Sequence, residues 1–427
     1  MNSQIKGVKA GKIMKKMIVG LLCVMLGLGT VSGCGSSKPE PEQSQDETAA
    51  EDTEKEDDTQ TDTQMDSQES DSETEQTEEQ EEISGNSSQT EDEEQGESNE
   101  KDMAQDMTMS VLKEEAGAYD YTSLEELNPE PGTRVAVVVK NTKTAYWTAV
   151  KQGMEAAISA INEKMGYKGD EKVTLSFEGP SDDMDVEKQI DLIDTVLSEN
   201  PEVLCIAAID MQSCEAQLEM ARENDIPVIM LDSAVDSGPV SAVCSTDNYG
   251  AGVEAAKRLA EAIEDQGEVA VMAHAASSKN SQEREKGFTE EMANNHPNIK
   301  IVNISHENED FTMTKMADAV FTLYPEVKGY FCTNEQASNA VLEAVETAGK
   351  DIKIVGFDSG KQQQAAVKNG KEVGFITQNP YGMGYATVVA GIRADLGLEI
   401  DSFINTSHQW IDSENLEDEA YSSFLYE

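Results

Sequence analysis

The side chains in this sequence that could do chemistry collect just after short apolar runs. Lys140-Asn-Thr-Lys-Thr-Ala-Tyr-Trp147 follows one such run, Asp232-Ser233 another, and Ser277-Ser-Lys-Asn-Ser-Gln-Glu-Arg-Glu-Lys-Gly-Phe288 a third. Thr333-Asn334-Glu335, Gly356-Phe-Asp-Ser359 and Thr377-Gln378-Asn379-Pro380 close three more. Carboxylates and carboxamides accept from and donate to hydroxyls, and aromatic faces pack on apolar C–H faces. The set therefore suits a polyhydroxylated ligand. It does not suit catalysis. The chain has no Ser/His/Asp order, no P-loop and no Gly-x-Gly-x-x-Gly after a strand. Gly382-Met-Gly384 lacks the third glycine. No Cys/His spacing fits a metal. This reading predicts a binding protein without cofactor or metal, not an enzyme.

Positioning such residues together requires strands that end at one edge. Arg134–Val139 is a β-branched run of the kind found in a parallel strand buried on both faces. Trp147, Val150, Met154, Ala157, Ile158 and Ile161 then recur at helical spacing. Strand-like and helical stretches alternate in this way to a last long helix at Tyr381–Leu396, giving about ten strands. Strict alternation means parallel sheets with helices on both faces. Ten strands exceed one doubly wound sheet of ordinary size, so the expected fold is α/β with two doubly wound lobes. In open parallel sheets ligands bind at the carboxyl ends of the strands, where the polar clusters lie.

The chain here resembles the type 1 periplasmic sugar-binding proteins of ABC transporters, the ribose/galactose-binding family, from about Thr133 to Gln378. The resemblance is carried by Ala145-Tyr-Trp147, Ile226-Pro-Val-Ile-Met-Leu-Asp232, Ser245-Thr-Asp-Asn-Tyr-Gly250 and Glu283-Arg-Glu-Lys-Gly-Phe288. Phe331-Cys-Thr-Asn334, Ile354-Val-Gly-Phe-Asp358 and Gln378-Asn-Pro380 complete it. It implies that Tyr146 and Trp147 form an aromatic clamp and that Asp232 accepts from ligand hydroxyls. It makes Phe311 a second stacking surface and Asn334, Asp358 and Gln378 polar contacts from the second lobe. Arg284 is a further candidate, and Asp210 is expected at the rim. The resemblance implies lobes of 131–246 plus 379–409 and of 247–378 plus 410–427. Crossings near Thr246, Gln378 and Ser407–Gln409 would form the hinge.

Plainer readings compete. Tyr146 and Trp147 could simply cover a sheet edge, and Asp232 and Asp358 could be helix caps or turn formers. Asn334 could cap a helix, and Gln378 could serve the hinge. His306 reads more naturally as a solvated loop residue than as a cleft residue. Two departures from ribose-type binders stand out: Ser233 and Gln282 occupy positions where those carry arginines, with Arg284 displaced by two. Arginine forks fix hydroxyls or ring oxygens, so their loss puts a pentose in doubt without arguing against a sugar-like ligand.

The remaining features concern compartment. Lys12, Lys15 and Lys16, an uncharged stretch from Met17 to Leu28, and Val31-Ser32-Gly33-Cys34 make a secretory signal over 1–33 ending in a lipobox. The Cys34 thiol is then expected to carry lipid; an uncleaved membrane anchor is the alternative, for which the run is short. Residues 34–130 are expected to be an acidic, disordered tether. It holds much of the net charge of −52, which excludes nucleic acid as a partner. Cys205, Cys244 and Cys332 read as small buried hydrophobes, and Cys214 as partly exposed. The whole reads as a monomeric solute-binding lipoprotein on the outer face of the membrane of a Gram-positive bacterium, delivering ligand to an ABC transporter permease. A co-receptor feeding a sensor kinase or chemoreceptor is the alternative.

Overall fold

A computed structural model describes residues 107–426. Cys34, the expected signal at 1–33 and the expected tether as far as residue 106 lie outside the described residues.

Residues 107–115 form helix α1. The first lobe then runs β1 (Arg134–Val138), α2 (Ala145–Met165), β2 (Thr174–Glu178), α3 (Val186–Ser198), β3 (Val203–Ile206), α4 (Glu215–Glu223), β4 (Val228–Leu231) and β5 (Ala242–Ser245). Its central strands are aliphatic and buried along their length, as a sheet covered on both faces requires. The second lobe runs α5 (Asn248–Ala262), β6 (Gly267–Ala273), α6 (Lys279–Asn295), β7 (Ile299–His306), α7 (Met313–Leu323), β8 (Val327–Cys332), α8 (Glu335–Ala348), β9 (Lys353–Phe357), α9 (Lys361–Lys368) and β10 (Gly374–Gln378). The chain returns to the first lobe through α10 (Pro380–Asp395) and β11 (Phe403–Asn405), then crosses again into β12 (His408–Asp412).

The sheets are ordered β11-β5-β4-β3-β1-β2 and β12-β10-β9-β8-β6-β7. Each contains the same doubly wound core order, 2-1-3-4-5, whose switch point lies between its first and third strands. All pairings are parallel except β12 on β10. One close helix pair covers each lobe. Gly384 on α10 lies against α2, where an added Cβ would come within 2.0 Å of the Val150 carbonyl oxygen. Gly252 on α5 lies against α6, where the same atom would come within 2.1 Å of the Arg284 carbonyl oxygen. Only glycine lets the backbones approach so closely.

Three expectations change. Residues 107–130 do not belong to a disordered tether: Leu112, Tyr121 and Leu127 are buried in the first-lobe core beside α10 residues. Arg393 pairs with Glu126 at 2.9 Å, and Asp401 N–H donates to the Tyr121 hydroxyl at 2.7 Å. These apolar residues are too sparse to read as a core segment, but each finds a ready-made surface. The third crossing falls before His408, because His408 and Gln409 already pair with Gln378 and Thr377. Cys214 is buried, like Cys205, Cys244 and Cys332. Burial pushes these thiols up, that of Cys244 to about 12, so they are poor nucleophiles.

Candidate functional site

The carboxyl ends of the two sheets converge on a cavity of about 70 Å³ between the lobes. That is room for several waters, each of which needs roughly 10–15 Å³ on this measure. The residues that follow β1, β6 and β8, at the two switch points, form much of its wall.

From the first lobe, the Thr144 hydroxyl caps α2 by accepting from Trp147 N–H. This cap aims the first turn of α2, with Tyr146 and Trp147, at the cavity. The two rings meet edge-on, centroids 5.0 Å apart. The Tyr146 hydroxyl donates to Asp232 Oδ1 at 3.0 Å, and burial raises this phenol well above its ordinary range. Lys140, two residues beyond β1, is buried and sits 3.8 Å from Asp232 Oδ2. Burial lowers its pKa while Asp232 opposes the shift. Lys140 opens the polar run expected after the first strand and lines the cavity, although it is not among the candidate contacts.

The second lobe supplies Arg284, 3% exposed. Its Nε donates to Asn248 Oδ1 at 2.8 Å and its Nη1 to the Thr333 carbonyl at 2.7 Å. The guanidinium lies 3.5 Å from the Phe357 ring centroid. Its Nη2 is buried with no protein partner, which leaves a donor for a ligand acceptor. Gln282 instead donates to the Ala276 carbonyl and lies outside the cavity wall. The displaced arginine therefore reaches the cavity wall, whereas Ser233 brings no cation.

Asp358 accepts from Gln378 Nε2 at 2.8 Å and from Glu335 N–H at 3.0 Å. Burial and the charge of Asp358 raise the Glu335 carboxyl. By accepting from Glu335 N–H, Asp358 also caps α8, whose first residue is Glu335. Asp232 sits at the centre of a three-residue turn closed by Ser233 N–H on the Leu231 carbonyl. Each ends a strand with φ in the left-handed region, 55° and 71°. Each donates its N–H to the next strand, Asp232 to Cys244 and Asp358 to Ile376. Asn334 does both things considered for it: its Oδ1 accepts from Ala337 N–H to cap α8, and its side chain lines the cavity. Gln378 likewise lines the cavity and accepts from the Thr246 hydroxyl at 3.0 Å, joining two crossings.

Phe311 is not brought in. It is 63% exposed in the loop between β7 and α7, where Asn308 Oδ1 accepts its N–H and turns the loop outward. His306 is held by Glu285 at 2.6 Å, away from the cavity. Asp210 is not in the wall either, although the next residue, Met211, bonds Ser277 across the lobes. The wall includes residues the sequence did not single out: His274, Asn280, Ser281 and Asp183. His274 is oriented by Glu307 at 2.6 Å. The result is a small chamber with polar and apolar surface in about equal measure, hydrogen-bonding groups on both sides and aromatic rings on one, suited to hold a polyhydroxylated molecule.

Residues 135–394 match the family model described as periplasmic binding protein domain. The ribose import binding protein of Salmonella typhimurium is 25% identical over 283 residues, covering 65% of this chain and 90% of that protein. Its Bacillus subtilis counterpart is 26% identical over 199 residues, covering 46% of this chain and 64% of that one. Among solved structures, an ABC transporter solute-binding protein from Agrobacterium vitis with bound α-D-tagatopyranose is 27% identical. It has a TM-score of 0.63, with 69% of this chain and 99% of that one covered.

Proposed function

Because this chain belongs to the periplasmic binding protein family, we propose that it captures a small neutral sugar or polyol between its lobes and delivers it to an ABC transporter permease. The observation that carries this reading is the chamber itself. Tyr146 and Trp147 offer faces to C–H surfaces, while Asp232 and Asp358, one from each lobe, offer acceptors to hydroxyls. Lys140 and Arg284 offset Asp232 and Asp358, and Asp183 and Glu335 add further acidic groups to the wall, which disfavours an anionic ligand. Tyr146, Trp147, Asp232, Arg284, Asn334, Asp358 and Gln378 are the proposed contacts.

Closure follows from differential binding: a ligand held by both lobes favours the state in which both reach it. The hinge is assigned to the crossings at Thr246, Gln378 and Thr406–Ser407. An N-terminal lipid on Cys34 with the acidic segment as spacer would keep such a binder beside its permease. The test is a thermal-shift screen of the purified chain against D-ribose, D-allose, D-tagatose and xylitol. A ligand at 100 times its Kd stabilises by about 2.7 kcal/mol. No shift with any sugar or polyol would refute the reading.

A further inference from the structure

Tyr426 is absent from the cavity wall, yet it touches the site from both sides. Its hydroxyl donates to Asp358 Oδ1 at 2.8 Å, beside the bond from Gln378. Its ring meets the Tyr146 ring edge-on, centroids 5.5 Å apart. Tyr146 in turn donates to Asp232. A continuous series of contacts thus runs from the strand-end aspartate of one lobe to that of the other: Asp358, Tyr426, Tyr146, Asp232.

The segment carrying Tyr426 is fixed to the second lobe. Tyr426 N–H donates to Ser359 Oγ at 3.2 Å. The Phe424 carbonyl accepts from Ser359 Oγ at 3.0 Å and from Thr377 Oγ1 at 2.5 Å. The ring itself is buried in the first-lobe core. Tyr426 is therefore anchored at the ends of β9 and β10 and inserted into the opposite lobe. Removing its hydroxyl would leave Asp358 held by Gln378 Nε2 and Glu335 N–H, so the carboxylate could shift toward those two donors.

We propose that Tyr426 is a positioning residue for the ligand site, one that sets the carboxylate of Asp358 and couples it to the aromatic pair across the lobe junction. The proposal rests on the reading of the chamber as a sugar site. Burial raises the phenol well above its ordinary range, so it remains a proton donor at all physiological pH values.

The test uses the full chain with Tyr426→Phe, which keeps the ring and its packing. Calorimetric titration with D-ribose, D-allose and xylitol is expected to show about a tenfold loss of affinity for whichever probe binds the wild type. The unfolding midpoint without sugar should fall by no more than a few degrees, as the loss of one buried hydrogen bond to a carboxylate requires. In an Asp358→Ala background the same substitution should change affinity less than twofold. A lowered midpoint with unchanged affinity, or an undiminished loss in the Asp358→Ala background, overturns the proposal. If the wild type binds none of the probes, the sugar reading fails in this panel, and a second readout decides the positioning claim alone. The chain has two tryptophans, Trp147 and Trp410. With 5-fluorotryptophan incorporated, Tyr426→Phe should move or broaden the fluorine resonance of Trp147 and leave that of Trp410. An unmoved Trp147 resonance refutes the coupling.

Discussion

Asp232 and Asp358 occupy the same place in two sheets and hold the same uncommon backbone conformation. A left-handed φ costs a non-glycine residue about 1–2 kcal/mol, and less for aspartate, whose short side chain bonds locally. Such local strain concentrates where a side chain must be aimed. The two aspartates were legible as strand-end acids; their φ values were not, since these follow from the N–H bond each makes to a neighbouring strand. Lys140 was legible only as part of a polar run after a strand, because its loop looks solvated until the second lobe covers it. Glu372 illustrates the opposite case, a buried acid away from the chamber. Gln363 Nε2 donates to its Oε1 at 3.3 Å, while Glu372 Oε2 and Gln363 Oε1 have no protein partner. Burial raises this carboxyl well above its usual range, so the folded state keeps a proton that the unfolded state loses above pH about 4.3. Stability therefore falls as pH rises from there toward the folded pKa. Glu372→Gln can supply the missing donor without a charge. It should raise the urea midpoint at pH 7–8 and flatten its pH dependence, whereas an unchanged slope would show that Glu372 is ionised when folded.

Regular elements were the most legible level, because β-branched runs and helical spacing are local properties. The expected strand at Arg134–Val139 is β1, and the helical spacing from Trp147 to Ile161 falls within α2. What escaped were elements defined by their neighbours. β11 has only three residues, and β12 exists as a strand because β10 offers an edge. Helix α1 is stabilised by the surface it covers, with the Thr108 carbonyl accepting from Asn379 Nδ2 at 2.9 Å. The helix pairs also connect packing to the site. An alanine at Gly252 would push its Cβ against the backbone of α6 at Arg284 and Phe288, and backbone cannot rotate away. Gly252→Ala is expected to cost about 1–3 kcal/mol and to weaken sugar binding by displacing Arg284. Equilibrium unfolding and calorimetry on the same variant check both, and full affinity would show that α6 absorbs the strain without moving its arginine.

At the scale of the molecule, the loop and helix start at 277–280 clasp the first lobe. Ser277 accepts from Met211 N–H at 2.9 Å, and Lys140 donates to Ser278 Oγ at 3.0 Å. Lys279 pairs with Asp236 at 2.7 Å, and Asn280 donates to Asp232 at 3.2 Å. A partly exposed pair such as Lys279–Asp236 contributes at most about 1 kcal/mol. The buried pair of Lys140 with Asp232 recovers in attraction roughly what it loses in desolvation. The clasp therefore orients the lobes more than it drives them together, and the ligand must supply the rest. Trp147 is the side chain through which this is most simply tested, because it belongs to the chamber and caps no other element. Calorimetric titration of wild type and Trp147→Ala with the sugar found by the thermal-shift screen is the decisive measurement. One site per wild-type chain and an affinity loss of at least a hundredfold in a variant that stays folded are expected. Undiminished binding by Trp147→Ala, or no heat from any sugar with the wild type, would contradict the sugar reading of the chamber.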